Sequence, residues 1–225
     1  MVSALMVEKI RYGGREIGGA YHFELTGGAL ALDFVNTLYN RIDDPRELLT
    51  TYKRLLDWSE QSGALSKMEC NRLSKIASKT PRKANWALKE ACGLRELLYS
   101  IVSNAVHGDS TSADELNALN RWIEKANSKR CLSNHAGDYV WRYLPEDGDF
   151  TAMLWPIVFS IESMLTDKHS VSRIKICEGD TCAWAFLDNS RPGNKRWCDM
   201  TVCGNRAKAR RHRAKSRSRS VRRAT

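Results

Sequence analysis

Four of the seven cysteines lie near the C-terminal end as two matched pairs, Cys177-x4-Cys182 and Cys198-x4-Cys203, with fifteen residues between the pairs. A thiolate is a soft donor. Two clips of two thiolates, joined by a loop long enough to turn one clip toward the other, supply what a tetrahedral structural zinc ion takes. The x4 spacing is wider than the common two-residue clip, and the same pattern also fits two disulfides or four unligated buried thiols. Disulfides require an oxidising compartment. The first sixteen residues, MVSALMVEKIRYGGRE, have no basic stretch ahead of their apolar run, which is too short for the core of a secretory leader. The expectation is a cytoplasmic chain that binds zinc through Cys177, Cys182, Cys198 and Cys203.

The residues around these cysteines carry a resemblance. Phe186, Asp188, Ser190, Arg191, Arg196-Trp197-Cys198, Met200 and Cys203-Gly204-Asn205-Arg206 with Lys208 are similar to the CGNR zinc finger, named for the tetrapeptide at 203–206. Asp199 departs from that pattern: the family more often has a small polar residue there, and a carboxylate beside a ligand adds negative charge near the metal. Toward the other end, LDFVNT at 32–37 resembles the motif that opens the ABATE domain, a helical domain that commonly precedes the CGNR finger. The resemblance implies a bacterial stress-response transcription regulator.

Charge points to the kind of partner. The chain carries a formal net charge of +10, yet residues 200–225 hold ten Lys or Arg and no acid, so 26 basic and 26 acidic side chains balance in the remainder. Such asymmetry implies a polyanion reached by the C-terminal end. Arg206, Lys208, Arg210, Arg211, Arg213, Lys215, Arg217 and Arg219 are the candidate nucleic-acid contacts. Each cation that neutralises a phosphate releases counterions, so such a tail binds without reading bases. The residues do not separate DNA from RNA; the resemblance favours DNA. Asn205 is placed to cap a basic helix through about Lys215, and the Ser-Arg alternation of 216–225 reads as disordered. Lys175, Arg191, Lys195, Arg196 and Arg206 are close enough in sequence to offset the negative charge of a tetrathiolate site. Trp184 and Trp197 read as the small core of the metal module rather than as base-stacking platforms.

The elements that must hold this module read as mainly α: a helical N-terminal domain with a small β-hairpin, then a treble-clef-like or knuckle-type zinc module and a basic C-terminal helix and tail. The boundaries are an irregular Gly-rich segment at 1–20, the helical domain at 21–168, the zinc module at 169–215 and the tail at 216–225. Asp44-Pro45-x-Glu47 reads as a helix start for the stripe Leu48, Tyr52, Leu55, Leu56 and Ser59, with Gly63 ending it. Ser66-x-x-Glu69 and Ser112-x-x-Glu115 are capping boxes, and Thr80-Pro81 opens a long helix that Gly108 ends. Tyr139, Trp141 and Tyr143 alternate as a strand of a hairpin whose aromatic face is expected to pack on the helices. Residues 149–165 return to helix, with Pro156 marking a kink or the true start. A polar link at 166–172 precedes a strand over Val171–Ile176 that delivers Cys177. Residues up to about 165 are expected to close a core of their own.

Other chemistry is thin. The chain has no run of eighteen apolar residues, which speaks against a membrane span. His22, His107, His135, His169 and His212 show no metalloprotease or nucleophile spacing, and GGREIGG at 13–19 lacks the strand–helix context of a phosphate loop. Cys70 and Cys92 read as small core residues. Asp33 and Asn36 are polar in an apolar stretch, which leaves them as weak ligand-binding candidates against the plainer reading that they bond nearby backbone. The expectation is a non-enzyme: a zinc-dependent DNA-binding regulator whose helical domain senses a small-molecule effector or a partner, with room for a homodimer. The alternatives are a ligand-binding or enzymatic helical domain with an accessory basic tail, and an RNA- or ribosome-associated protein.

Overall fold

Capping chemistry sets most of the helix boundaries in the computed structural model, which describes residues 13–144, 146 and 148–221. Helix α2 (Tyr52–Ser62) starts where the Thr51 hydroxyl accepts from the Arg54 N–H, and it ends on Gly63 at φ 77°. Helices α3 (Lys67–Lys79) and α5 (Ala113–Ser128) open with complete capping boxes at Ser66/Glu69 and Ser112/Glu115. Helix α4 (Pro81–His107) carries Pro81 in its first turn, where the missing N–H costs no hydrogen bond. Three further helices complete the body: α1 (Leu30–Val35), α6 (Leu154–Thr166) and α7 (Lys168–Arg173). Pro156 lies in the first turn of α6, so it marks a start and not a kink.

The strands form four two-stranded antiparallel ribbons: β1 (Gly14–Ile17) with β2 (Ala20–Phe23), β3 (Leu38–Tyr39) with β4 (Arg46–Glu47), β5 (Arg130–His135) with β6 (Asp138–Tyr143), and β7 (Ile174–Ile176) with β8 (Ala185–Leu187). The first ribbon corrects the reading of 1–20 as irregular over 13–20; residues 1–12 lie outside the described residues. Its turn is Gly18-Gly19, both at positive φ (58° and 81°), which suits a tight hairpin. The second ribbon corrects the helix start at Asp44-Pro45-x-Glu47. Arg95, only 3% exposed on α4, takes both Glu47 carboxylate oxygens at 2.7 Å, and that tertiary ion pair outweighs local capping. The third ribbon pairs as expected, but its face is not packed away: Tyr139 is 71% and Trp141 51% exposed, with the Arg130 guanidinium 4.3 Å over the Trp141 ring. The polar link at 166–172 contains α7, because the Asp167 carboxylate caps it through the His169 and Ser170 N–H groups. The strand over Val171–Ile176 is shorter, running from Ile174.

The fold is mainly α with a cysteine module at its C-terminal end, and α1 lies at the centre of its core. Ala31, Leu32, Phe34 and Val35 are fully buried against α4, α6 and β8. One continuous core joins these residues to Ile174, Cys177, Cys182, Trp184, Ala185 and Phe186. The core built by residues up to 165 is thus continuous with that of the cysteine module. A π-helical turn (Met200–Gly204) leads into α8 (Asn205–Val221). That helix continues past Lys215, which corrects the expected disorder over 216–221. Arg, Lys, Ala and Ser hold a helix where no Gly or Pro interrupts it. Residues 222–225 lie outside the described residues. Among the described residues, no helix is long and apolar enough to cross a membrane.

Candidate metal centre

The four cysteines converge. Cys177 follows β7, Cys182 closes the turn into β8, Cys198 ends the intervening loop, and Cys203 rides the π-helical turn. All four are buried, and their Sγ atoms lie within 4.8 Å of one another. Cys182 and Cys198 are 3.7 Å apart at sulfur, and Cys198 and Cys203 are 3.9 Å apart. Four thiolates about 2.3 Å from a central tetrahedral ion stand about 3.8 Å from each other, so these separations fit a metal-binding site. They are far from a disulfide bond of about 2.05 Å, and the cysteines are unpaired.

Backbone geometry builds the cradle. The Cys177 N–H donates to the Trp184 carbonyl at 2.8 Å and the Cys182 N–H to Gly179 at 3.1 Å, closing the first clip. The Glu178 N–H donates to the Arg196 carbonyl at 2.9 Å, and the Arg196 Nε to the Glu178 carboxylate at 2.7 Å, which stitches the second clip to the first. Gly179 lies close against the cluster: a Cβ at that position would come 3.1 Å from Cys182 Cβ and 3.2 Å from Cys203 Sγ, so a larger residue would crowd the thiols. Asp199 is not a stray charge. Its carboxylate accepts from the Thr201 and Val202 N–H groups at 2.5 and 3.1 Å, capping the turn that carries Cys203.

Crowded thiols do not ionise independently. Hydrogen bonds from Cys182, Cys198 and Cys203 hold Cys177 well below the ordinary thiol range, and its acceptance of the Cys198 backbone N–H acts in the same direction. Bonding to the Cys177 sulfur pushes Cys182 up, and Cys198 is pushed up likewise. A bound cation would hold all four as thiolates.

The loop between the pairs is organised by Asp188, which is 1% exposed. Burial alone would raise its carboxyl. Hydrogen bonds from the Ser190 hydroxyl and N–H, the Lys195 N–H and an ion pair to Lys175 at 3.0 Å hold it well below the usual range. Trp184 is 2% exposed and donates Nε1 to the Leu38 carbonyl, and Trp197 is partly buried against the core, so both tryptophans serve packing.

The remaining site candidates separate into two groups. Asp33 and Asn36 are internal fasteners. The Asp33 carboxylate accepts from the Gly27 N–H at 2.7 Å. The Asn36 carboxamide meets both backbone groups of Ala185, accepting from its N–H at 2.9 Å and donating to its carbonyl at 2.8 Å. Asn36 thereby acts as one residue of a third strand beside β8. Tyr99 Oη donates to the Ala183 carbonyl at 2.9 Å, where Ala183 turns the chain at φ 51°. The sequence pattern gave no sign of Tyr99, or of Tyr39, whose Oη accepts from Arg206 Nη1 at 3.2 Å.

The second group lies on α8. Arg206, Lys208, Arg210, Arg211 and Arg213 are exposed, and Lys215, Arg217 and Arg219 continue the same helical backbone. Arg206 and Arg210 line the groove beside Cys182 and Cys203, and Arg210 pairs with Asp180. Lys208, Arg211 and Arg213 make no ion pair with the described residues. Ala207, 8% exposed, seats the first turn against the body.

Two family models match the chain. The ABATE model, described as "Putative stress-induced transcription regulator", matches residues 28–168, and the CGNR zinc finger model matches residues 173–216. A comparison with curated proteins found no match.

Proposed function

The chain belongs to the ABATE family and ends in a CGNR zinc finger, and from that premise we propose that it is a zinc-dependent DNA-binding transcription regulator and not an enzyme. Zinc is the ion that four thiolates in a closed, buried tetrahedron favour. One observation carries the nucleic-acid reading: α8 begins at Asn205, two residues after the last thiol, and its side chains through Arg213 include five cations and no acid. The metal fixes where that helix leaves the body, and the helix presents its charge to phosphates. The helical domain, packed on the finger through α1, is the part suited to sensing an effector.

Metal content by mass spectrometry, on protein purified without added metal, tests the first half. One zinc per chain is expected, falling well below one in Cys198→Ser. Titration of matched DNA and RNA duplexes tests the second half, with tighter binding to DNA expected. A folded, metal-free wild type would sink the zinc site. A chain indifferent to both duplexes would sink the nucleic-acid reading.

A further inference from the structure

A cavity of ≈ 170 Å³ lies where α7 meets the segment after β8, lined by His169, Ser170 and Arg173 on one side and by Leu187 to Ser190 on the other. Its polar lining is rich in uncommitted donors. A guanidinium has five N–H donors, and the described residues engage one of those on Arg173, Nη1 to the Ser190 carbonyl at 3.1 Å. The His169 ring and the Asn189 carboxamide make no hydrogen bond with the described residues.

The nearby carboxylates are occupied. Asp167 accepts from the His169 N–H, the Ser170 N–H and the Ser170 hydroxyl. Asp188 is buried in its ion pair with Lys175 and its bonds to Ser190 and Lys195. The Arg173 guanidinium is also held in place. Gly193 sits at φ 64° directly against it, and a Cβ there would come 2.4 Å from Nη1. A fixed planar fork with free donors, an imidazole and a carboxamide around a small cavity is suited to a tetrahedral oxyanion.

We infer that this cavity binds a phosphate-type oxyanion through Arg173, His169 and Asn189, and that the oxyanion is a backbone phosphate of the nucleic acid that α8 engages. The second clause rests on the function proposed above. A soluble phosphate presents the same chemistry, so the test carries an arm for each source.

The whole 225-residue chain, loaded with metal, serves throughout. His169→Ala/Asn189→Ala removes two exposed side chains that make no hydrogen bond with the described residues, and Arg173→Gln removes the fork. Duplex affinity is measured against salt, and the Arg173 Nε–H signal is followed by NMR on adding duplex or inorganic phosphate. The expected result is a loss of affinity on the order of tenfold in each variant. The slope of log affinity on log salt should become shallower by about 0.9 in Arg173→Gln, and the wild-type signal should shift with duplex.

A signal that shifts with submillimolar inorganic phosphate, with duplex affinity unchanged in both variants, supports the oxyanion site and overturns its assignment to nucleic acid. Silence toward both probes overturns the inference. If Lys208→Ala/Arg211→Ala/Arg213→Ala meanwhile abolishes duplex binding, the nucleic-acid reading stands without the cavity. If the wild type binds no duplex, that reading fails and the phosphate arm alone decides the cavity.

Discussion

Burial pushes the Asp33 carboxyl up from 3.8 to about 6, against the opposing effect of the Gly27 N–H. The folded value lies above the unfolded one, so the folded state holds the proton more tightly between these limits. The stabilisation is therefore full below about pH 4 and is lost as pH rises through about 6. A shift of this size corresponds to about 3 kcal/mol. Asp33→Asn keeps an acceptor for Gly27 and removes the charge, so its advantage over wild type should grow between pH 4 and pH 7 by a similar amount. Denaturant unfolding of both proteins across that range measures it, and a gap that does not change with pH would refute the assignment. Asp33 and Asn36 also show how far a sequence speaks at this scale. Two polar residues in an apolar stretch announce that something must satisfy them. They do not say that the partner of Asn36 is a backbone amide 149 positions away.

At the scale of elements, legibility followed the range of the cause. The capping boxes of α3 and α5, the Pro81 start and the cysteine clips lie within a few residues of what they build, and each was readable. The β3–β4 ribbon was not, because Arg95 on a distant helix claims Glu47. The seam between helical domain and finger was hidden for the same reason: Asn36 on β8, Tyr99 on Ala183 and Trp184 on Leu38 all join remote segments. Across that seam runs a shared apolar core, which makes the metal a stabiliser of the whole chain. Stripping it with a chelator should lower the thermal midpoint in a single transition, visible in the helical far-ultraviolet signal and in tryptophan fluorescence together. Asn36→Ala leaves the N–H and carbonyl of Ala185 buried without partners, at a cost of about 2–4 kcal/mol, and should speed metal loss to the chelator. Two separate transitions, or an Asn36→Ala variant that holds metal as wild type does, would show that the modules fold independently.

The whole molecule is a charge-balanced body with a cationic helix issuing from its metal centre. Helix α8 has no apolar stripe beyond Ala207 to bind it to the body, so its direction is set at its root by the Cys203 turn and by the Arg206–Tyr39 contact. Its cations accordingly divide by task. Arg206 and Arg210 line the groove beside the thiols and hold Tyr39 and Asp180, whereas Lys208, Arg211 and Arg213 make no ion pair with the described residues. If these three neutralise phosphates, replacing all of them with Ala should weaken binding to every duplex by a similar factor. The dependence of log affinity on log salt should flatten by up to about 2.7 units, at roughly 0.9 per lost contact. Arg206→Ala should behave differently, because it loosens the root of the helix: affinity falls, the metal is lost faster to chelator, and the salt slope changes by no more than one contact. Salt titrations of both variants on one random and one genomically enriched duplex distinguish the roles. A triple variant with the wild-type slope would mean that phosphates are met elsewhere on the protein. In that case the helix that begins beside Cys203 would serve the metal module and not the nucleic acid.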